Sequence, residues 1–437
     1  MAVIPFAAAV AVLLSLGYFF TSLVWPENLN RRLILIFGPA AGAGICSIIF
    51  VTFRRPMFTV EAALLAASAA AWFYRRKRKP ASTGASADAR IPAAWLLPAC
   101  AAGMAISYWI VLVERTPHGD WDAMAIWNSH ARYLYRAGAA WPSGIRNTFH
   151  ADYPLLGPSL TARLWRYLGE ESQDAAGAQT AIFAVAVAAI LAGTLAAMGR
   201  TRQAVLFGLI LLTTPFFLEY SVSQSADVTL SLFILATMAL LSLQHAGLLV
   251  LAGFMAGCAG WTKNEGLLFI ALTAAALLAP VIRRRRETLT RAAFFAIGLA
   301  APLTLTIWFK LAVAPAGDIV QRRSRDELIE KLLDPARYAT VAAQFPAAFA
   351  SFGNWLIHPA LLVLLFLAVQ GMDRSMLRSR GWLQSAFIWT AMVLGYAAVY
   401  VITPMKIDWH IQTSATRLWL QLWPSLLLLA GLASNPE

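Results

Sequence analysis

The sequence predicts an all-α polytopic membrane protein, and three observations lead to this fold class. Hydrophobic residues make up 59% of the 437 residues and charged residues only 13%, whereas soluble domains carry about 25% charged residues. The mean hydropathy is +0.63. The apolar residues lie in runs long enough to cross a bilayer, for which about 20 residues suffice. Transmembrane β-strands would instead give alternating segments of about ten residues.

The apolar runs predict a bundle of about thirteen transmembrane spans. We place these spans at residues 4–24, 33–53, 57–74, 93–113, 175–198, 203–219, 227–244, 247–262, 266–282, 291–312, 353–370, 382–402 and 416–432. The first run lacks the basic residues that precede the apolar part of a secretory signal, so we expect it to remain as the first span.

Basic residues in the short loops predict the orientation of the bundle. The net charge is +13, and four loops that fall on one side carry groups of Lys and Arg, at residues 75–79, 200–202, 283–286 and 374–380. The positive-inside rule makes that side cytoplasmic. Arg54 and Arg55 fall on the other side, contrary to this rule. Binding of nucleic acid would need an exposed basic domain, which the sequence lacks.

The chain divides at a stretch of small residues. Residues 80–90, PASTGASADAR, predict a cytoplasmic linker. Residues 1–92 hold three leading spans and this linker, and residues 93–437 form the main module. The leading spans carry almost no buried charge, so we assign no catalytic or binding residue to them.

The first large outer loop, residues 114–174, predicts two helices. One covers residues 122–136, with Met124, Trp127, Ala131 and Tyr135 at helical spacing, and the other covers residues 155–168. Both patterns are typical of amphipathic helices that lie on a membrane interface, with Trp and Tyr at the depth of the headgroups.

Polar residues are concentrated in five segments on this same outer side. They are Asp120, Asp122 and Asp152 in the first loop, Asp227 at the start of a span, Lys263 and Glu265 in a short turn, Arg322, Arg323 and Arg325 in the loop 313–352, and His410 and Arg417 before the last span. Ionisable groups are costly in or against a membrane, so their clustering indicates function. We expect them to converge in one cavity.

Carboxylates and cations together suit a particular chemistry. A carboxylate can accept a proton from an attacking hydroxyl, and cations can stabilise a leaving phosphate. Structural roles explain the same residue types equally well. Asp122 and Asp227 could cap helices, Asp152 could belong to a turn, Lys263 could pair with Glu265, and His410 and Arg417 could anchor the last span at the interface. His130 and His150 are interpreted as loop histidines.

Five segments resemble the landmarks of GT-C fold glycosyltransferases: WDAMAIWNSHARYLY, HADYPLLGPSL, SADVTLSLF, GWTKNEGLLF and DWHIQTSATRLWLQLWP. The resemblance is to bacterial membrane enzymes related to protein O-mannosyltransferases and aminoarabinose transferases, and it covers roughly residues 93–437. The three leading spans fall outside it. The sequence also lacks the soluble C-terminal domain that some members carry.

The resemblance implies roles for individual residues. Asp122 or Asp120 would be the general base, with Asp122 preferred, and Asp152 would face the donor phosphate or a divalent metal ion. Family members often have a basic residue beside that acid, whereas Tyr153 follows Asp152 here. The remaining substrate-binding residues would be Asp227, Lys263, Glu265, His410 and Arg417, of which Lys263, His410 and Arg417 would hold the donor phosphate.

The activity that the resemblance implies is glycosyl transfer on the outer face of a bacterial inner membrane. A polyprenyl-phosphate sugar would be the donor, the acceptor would be a lipid, a glycan or a protein, and the configuration would invert. Two alternatives remain open. A flippase or transporter of lipid-linked sugars would need charges at mid-span and internal repeats, and a scaffold of a cell-envelope complex would tolerate loss of Asp122.

Overall fold

The computed structural model describes residues 3–77, 96–282, 284–317, 324–352 and 357–436, and these residues form helices and their connections without a β-strand. The N-terminal half contains α1 (Val3–Val24), α2 (Leu33–Thr52), α3 (Met57–Lys77), α4 (Leu96–Arg115), α5 (Asn128–Arg136), α6 (Trp141–Ile145), α7 (Leu156–Leu168), α8 (Gln173–Ala197), α9 (Thr201–Thr213) and α10 (Pro215–Val222). The C-terminal half contains α11 (Ala226–Ser242), α12 (Leu249–Thr262), α13 (Glu265–Leu278), α14 (Arg285–Trp308), α15 (Arg325–Leu333), α16 (Pro335–Ala350), α17 (Pro359–Gln370), α18 (Arg374–Leu377), α19 (Arg380–Val401) and α20 (Ile407–Ala433).

The all-α fold of a membrane protein agrees with the prediction, but the count of about thirteen spans is not confirmed. Within the described residues, six helices are long and apolar enough to cross a membrane. A seventh span arises if α9 and α10, which are bent by 63° at Thr214, are taken together. Four further apolar segments have only 10–17 residues, fewer than the roughly 20 that a straight span needs.

Helix α11 is the centre of the bundle. All of its residues from Ala226 to Ser242 are buried, and it packs against α8, α12, α19 and α20. Helix α12 packs closely on α14. Gly253 allows this approach, because a Cβ atom at its position would collide with the backbone of Phe295. Small residues at such crossings allow close backbone contact where lipid provides no hydrophobic driving force. The polar N-terminus of α11 is thereby held in the protein interior.

The leading helices pack on the main module through α7 and α8, and they bury the charge of Glu61. Glu61 of α3 is buried, and its carboxylate pairs with Arg163 of α7 at 2.5 Å, with both side chains 1% exposed. The Tyr167 hydroxyl donates to the same carboxylate at 2.5 Å. The sequence alone does not reveal this pair. Glu61 lies near the start of a predicted span, and its partner is 102 residues away in the chain.

Breaking this buried pair should destabilise the protein. Removal of one partner from a buried ion pair typically lowers the free energy of unfolding by about 3–5 kcal/mol. We expect Glu61→Ala to lower the melting temperature in detergent clearly, and Glu61→Leu combined with Arg163→Leu to restore much of it. The control is Arg136→Ala, which removes an exposed pair with Glu171 and should cost at most about 1 kcal/mol. Equal melting of Glu61→Ala and Arg136→Ala would contradict this role.

Ion pairs gather the predicted cytoplasmic loops at one end of the bundle. Arg200 pairs with Asp373 at 2.7 Å, and Arg380 pairs with Glu287. Arg54, which did not fit the charge rule, lies at the other end and donates to the carbonyl of Leu134 in the last turn of α5. A cation at the C-terminal turn of a helix satisfies free carbonyls, so Arg54 has a structural reason to depart from the rule.

The two helices of the first loop are present, and their tryptophans pack inside the protein. Trp127 and Trp165 are buried, and α7 packs against α1, α2 and α5. The Trp165 indole donates to the carbonyl of Ser172 at 2.7 Å. The amphipathic pattern is therefore explained by contact with neighbouring helices, which a sequence pattern cannot distinguish from contact with lipid headgroups.

Candidate functional site

Asp227, in the first turn of α11, is the centre of a polar cluster inside the bundle. Its side chain is fully buried. Its Oδ1 accepts hydrogen bonds from Lys263 Nζ at 2.9 Å and Gln421 Nε2 at 2.6 Å. Its Oδ2 accepts from Arg417 Nε at 2.8 Å and Nη2 at 2.7 Å, and from Ser225 Oγ at 3.3 Å. A buried carboxylate is stable only with such partners, so these contacts fix α11, α12 and α20 relative to each other.

Two cations connect Asp227 to further acids. Arg417 Nη1 lies 2.5 Å from Asp122 Oδ2, and Lys263 Nζ lies 3.0 Å from Glu265 Oε1. The guanidinium of Arg417 also lies over the ring of Tyr220, at 5.7 Å from its centroid. Five of the residues predicted for the site thus form one continuous ionic network: Asp122, Asp227, Lys263, Glu265 and Arg417.

Asp120 lies beside this network in a tight turn. The turn needs Gly119, whose φ of +72° is unfavourable for other residues and whose missing side chain leaves room for the carbonyl of Ser223. Asp120 Oδ1 accepts from the backbone N–H of Ala123 at 2.8 Å. Asp120, and not Asp122, therefore provides the capping interaction at this helix start.

The environment of Asp120 makes it a weaker acid than usual. Burial raises the pKa of its carboxyl from 3.8 to about 6, and the neighbouring charge of Asp122 acts in the same direction. The hydrogen bond from Ala123 and the charge of Arg417 oppose this shift only partly. A carboxylate with a pKa near the working pH is suited to accept and release a proton.

Asp152 forms a second group of contacts. Its Oδ2 accepts from Asn264 Nδ2 at 2.8 Å and lies 3.6 Å from Lys310 Nζ. Lys310 also donates to the backbone carbonyl of Asp152 and to Asn264 Oδ1. Because Asn264 directly follows Lys263, this group adjoins the Asp227 network.

Tyr153 is held in a stack of aromatic rings. Its ring is parallel to that of Trp127 at 5.5 Å and to that of His150 at 4.7 Å, measured between centroids. Burial raises the pKa of its phenol, so the hydroxyl stays protonated at neutral pH. Tyr153 carries no positive charge next to Asp152, but Lys310 brings one there from another helix.

Two π-helical turns border the site. Residues 123–127 follow Asp122, and residues 309–313 carry Lys310. Arg146 of the first loop donates to the carbonyls of Val313 at 2.7 Å and Ala312 at 2.8 Å. Such π-turns are rare and are frequent at functional sites. Here they place Asp122 and Lys310 at the ends of helices that meet at the cluster.

A small cavity adjoins the network, and several uncharged polar side chains line it. Its walls include Trp127, Asn128, Gln179, Gln224, Ser225, Thr229 and Thr262. Ser225 both lines this cavity and bonds to Asp227. Asn128 Nδ2 donates to Gln224 Oε1 at 2.8 Å, which ties the first loop to the start of α11.

Not every predicted residue joins the cluster. His410 bonds through Nδ1 to Thr403 Oγ1 at 2.8 Å, and its ring packs edge-on against Tyr400. These contacts fit an anchor at the start of α20. Arg322 and Arg323 lie outside the described residues, and Arg325 is exposed at the start of α15. The interpretation of His130 as a loop histidine was wrong, since it is a buried residue of α5 whose Nε2 contacts Thr148 Oγ1 at 2.8 Å.

The residues around Asp152 do not fit a divalent metal ion. The amide N–H of Asn264 and the ammonium of Lys310 face its carboxylate, so a hydrogen-bond donor and a cation stand where a metal ion would need further oxygen ligands. In the part of the chain that the structure describes, no three His, Cys, Asp or Glu side chains are grouped to hold a metal ion.

Sequence analysis did not identify Lys310, Asn264 or Gln421. Lys310 is the only charged residue between Ala292 and Gly317, and a lone lysine at the end of an apolar run was a signal that it lies near a functional site. No comparable pattern marked Asn264 or Gln421, because single amides are common at helix ends.

No protein-family model, curated protein or solved structure matches the chain. The function is therefore inferred from the geometry of the site.

Proposed function

We propose that the protein is a glycosyltransferase that moves a sugar from a polyprenyl-phosphate carrier to a hydroxyl acceptor at the outer end of the bundle. The observation that carries this proposal is the convergence of three aspartates, Asp120, Asp122 and Asp227, with Arg417 and Lys263 from separate helices. Such a group combines a proton acceptor with cations that can stabilise a leaving phosphate. The resemblance of five sequence segments to GT-C glycosyltransferases supports the same activity.

The contacts suggest a division of roles between the two candidate bases. Asp122 shares Arg417 with Asp227, so its negative charge is already committed to an ion pair. Asp120 accepts one backbone hydrogen bond, and its pKa of about 6 suits proton transfer at neutral pH. We therefore propose Asp120 as the base and Asp122 as the residue that orients Arg417.

In the proposed reaction, the acceptor hydroxyl attacks the anomeric carbon and the bond between this carbon and the phosphate oxygen breaks. The electron pair of that bond stays on the oxygen, and the acceptor proton moves to the carboxylate of Asp120. One displacement inverts the configuration. The products are the new glycoside and the polyprenyl monophosphate, which carries one more negative charge than the donor. Tyr153 and the polar walls of the cavity would contact the sugar hydroxyl groups.

The side of the membrane follows from charge. The basic groups joined by the Arg200–Asp373 and Arg380–Glu287 pairs lie at the end opposite to the site. If the positive-inside rule places them in the cytoplasm, the site faces the periplasm. Nucleotide sugars are not found there, so a lipid-linked sugar is the reasonable donor.

Purified protein in detergent should release polyprenyl phosphate from at least one member of a panel of polyprenyl-phosphate sugars when an envelope extract supplies the acceptor. Asp122→Asn should reduce release by about tenfold or more, because Arg417 loses a charge-assisted hydrogen bond, while the donor still binds. Asp326→Asn, in the first turn of the exposed helix α15, is the control and should retain full release. Donor binding without release by the wild type would instead favour a transporter or a scaffold.

A further inference from the structure

The three cations of the site differ in what neutralises them. Lys263 contacts the carboxylates of Asp227 and Glu265 at 2.9 and 3.0 Å. Arg417 likewise contacts two carboxylates, those of Asp227 and Asp122. The hydrogen bonds that Lys310 makes within the described residues go to neutral acceptors, the backbone carbonyl of Asp152 and Asn264 Oδ1.

Lys310 therefore has one carboxylate neighbour, that of Asp152, where Lys263 and Arg417 have two each. Asp152 Oδ2 lies 3.6 Å from Lys310 Nζ, an ion pair longer than the contacts of 2.5 to 3.0 Å that Lys263 and Arg417 make with their carboxylates. The side chain of Lys310 is also the most accessible of the three, with 25% of its surface exposed against 7% for Lys263 and 16% for Arg417. An anion that enters the site meets this ammonium more easily than the other two cations.

The position of Lys310 is fixed from both sides. Asn264 bonds to Lys310 through Oδ1 and to Asp152 through Nδ2, so one amide sets the spacing of the lysine and the aspartate. Arg146 holds the last carbonyls of the π-turn on which Lys310 lies. A lysine placed in advance by such contacts can stabilise developing charge without reorganisation.

We propose that Lys310 binds the phosphate group of the lipid-linked substrate and stabilises the second negative charge that this group gains as it leaves. This inference rests on the proposed glycosyl transfer. The donor is a phosphodiester with one negative charge, and the released lipid is a monoester that is mainly a dianion at neutral pH. Lys310 thus supplies beside Asp152 the positive charge for which a metal ion would otherwise be needed.

The proposal predicts a specific loss of phosphate affinity in Lys310→Met. Binding to purified protein would be measured by calorimetric titration with three probes: polyprenyl monophosphate, the matching polyprenol without phosphate, and inorganic phosphate. We expect the variant to bind polyprenyl monophosphate about tenfold or more weakly, since a hydrogen bond to a charged group is lost, and to bind polyprenol as the wild type does. Inorganic phosphate shows whether the anion alone is bound or the lipid is also required.

Two further variants make the test specific. Lys406→Met removes the same charge from an exposed residue near the start of α20 and should leave the affinity for every probe unchanged. Asn264→Asp keeps the lysine but places a carboxylate against it, and it should weaken phosphate binding as Lys310→Met does. Melting temperatures identify any variant that fails to fold, and Asn264→Asp then decides the question if Lys310→Met does not fold.

The outcomes separate this inference from the proposed function. Equal affinity of wild type and Lys310→Met for polyprenyl monophosphate would overturn the role of Lys310, even if sugar transfer is observed. Phosphate binding that depends on Lys310 in a protein that transfers no sugar would support the anion site and refute the transferase.

Discussion

Replacing Asp227 with alanine is expected to abolish sugar transfer and to destabilise the protein more than any other single change at the site. The substitution leaves Lys263 and Arg417 without the buried carboxylate that they share. Loss of one partner from a buried ion pair typically costs about 3–5 kcal/mol, and here two cations are affected at once. Thermal unfolding in detergent and transfer activity per folded molecule would be measured together.

Asp373→Ala is the matched control for Asp227→Ala. Asp373 also pairs with a buried arginine, Arg200, but it lies at the opposite end of the bundle. Its loss should lower the melting temperature while leaving the activity of the folded fraction unchanged. If folded Asp227→Ala protein transferred sugar at the rate of the wild type, the ionic network would be structural and the site would have to lie elsewhere.

Replacing Asp120 with asparagine is expected to lower the transfer rate by a factor of about 10² to 10⁴, the usual contribution of a general base. Asparagine can still accept the hydrogen bond from Ala123 and is an equally good N-cap, so the turn should remain intact. Asp334→Asn is the control, because Asp334 caps α16 through a similar bond to Ala336 of 2.9 Å and is not assigned to the site.

The pH dependence of the wild type gives this test a second readout. A base must be deprotonated, so activity should rise as the pH increases through about 6, the pKa of Asp120. The stability contribution has the opposite sign. Folding raises the pKa of Asp120, so the folded state binds more protons than the unfolded state between pH 4 and 6, and stability falls as the pH rises through this window.

Both trends should disappear in Asp120→Asn. A variant that keeps the activity profile of the wild type would exclude Asp120 as the base. A profile lost in Asp122→Asn and kept in Asp120→Asn would restore the preference for Asp122 that the sequence suggested.

The sequence predicted the positions of the helices well because each long apolar run must either cross the membrane or be buried in the protein. The count of about thirteen spans is not confirmed, because composition does not show whether an apolar segment faces lipid or other helices. Helix α11 illustrates this limit, since its 17 residues are all buried in the bundle.

For the candidate site, the sequence identified the residue types and the end of the bundle, since charged residues at span ends are few. It could not assign partners. Asp227 reaches Arg417 across 190 residues and Lys263 across 36, and such contacts leave no local pattern. The division between Asp120 and Asp122 depended on Arg417, which pairs with one carboxylate and only partly lowers the pKa of the other.

The sequence by itself thus determined that this is an all-α membrane protein with its charged groups outside the apolar runs, because burying apolar runs and excluding charge from lipid are local requirements of composition. The tertiary structure decided which charges neutralise each other. It paired Glu61 with Arg163, gave Lys263 and Arg417 two carboxylates each, and gave Lys310 one carboxylate and two neutral acceptors. Such pairing depends on distances of a few ångströms between helices far apart in the chain, since electrostatic and hydrogen-bond energies fall steeply with separation.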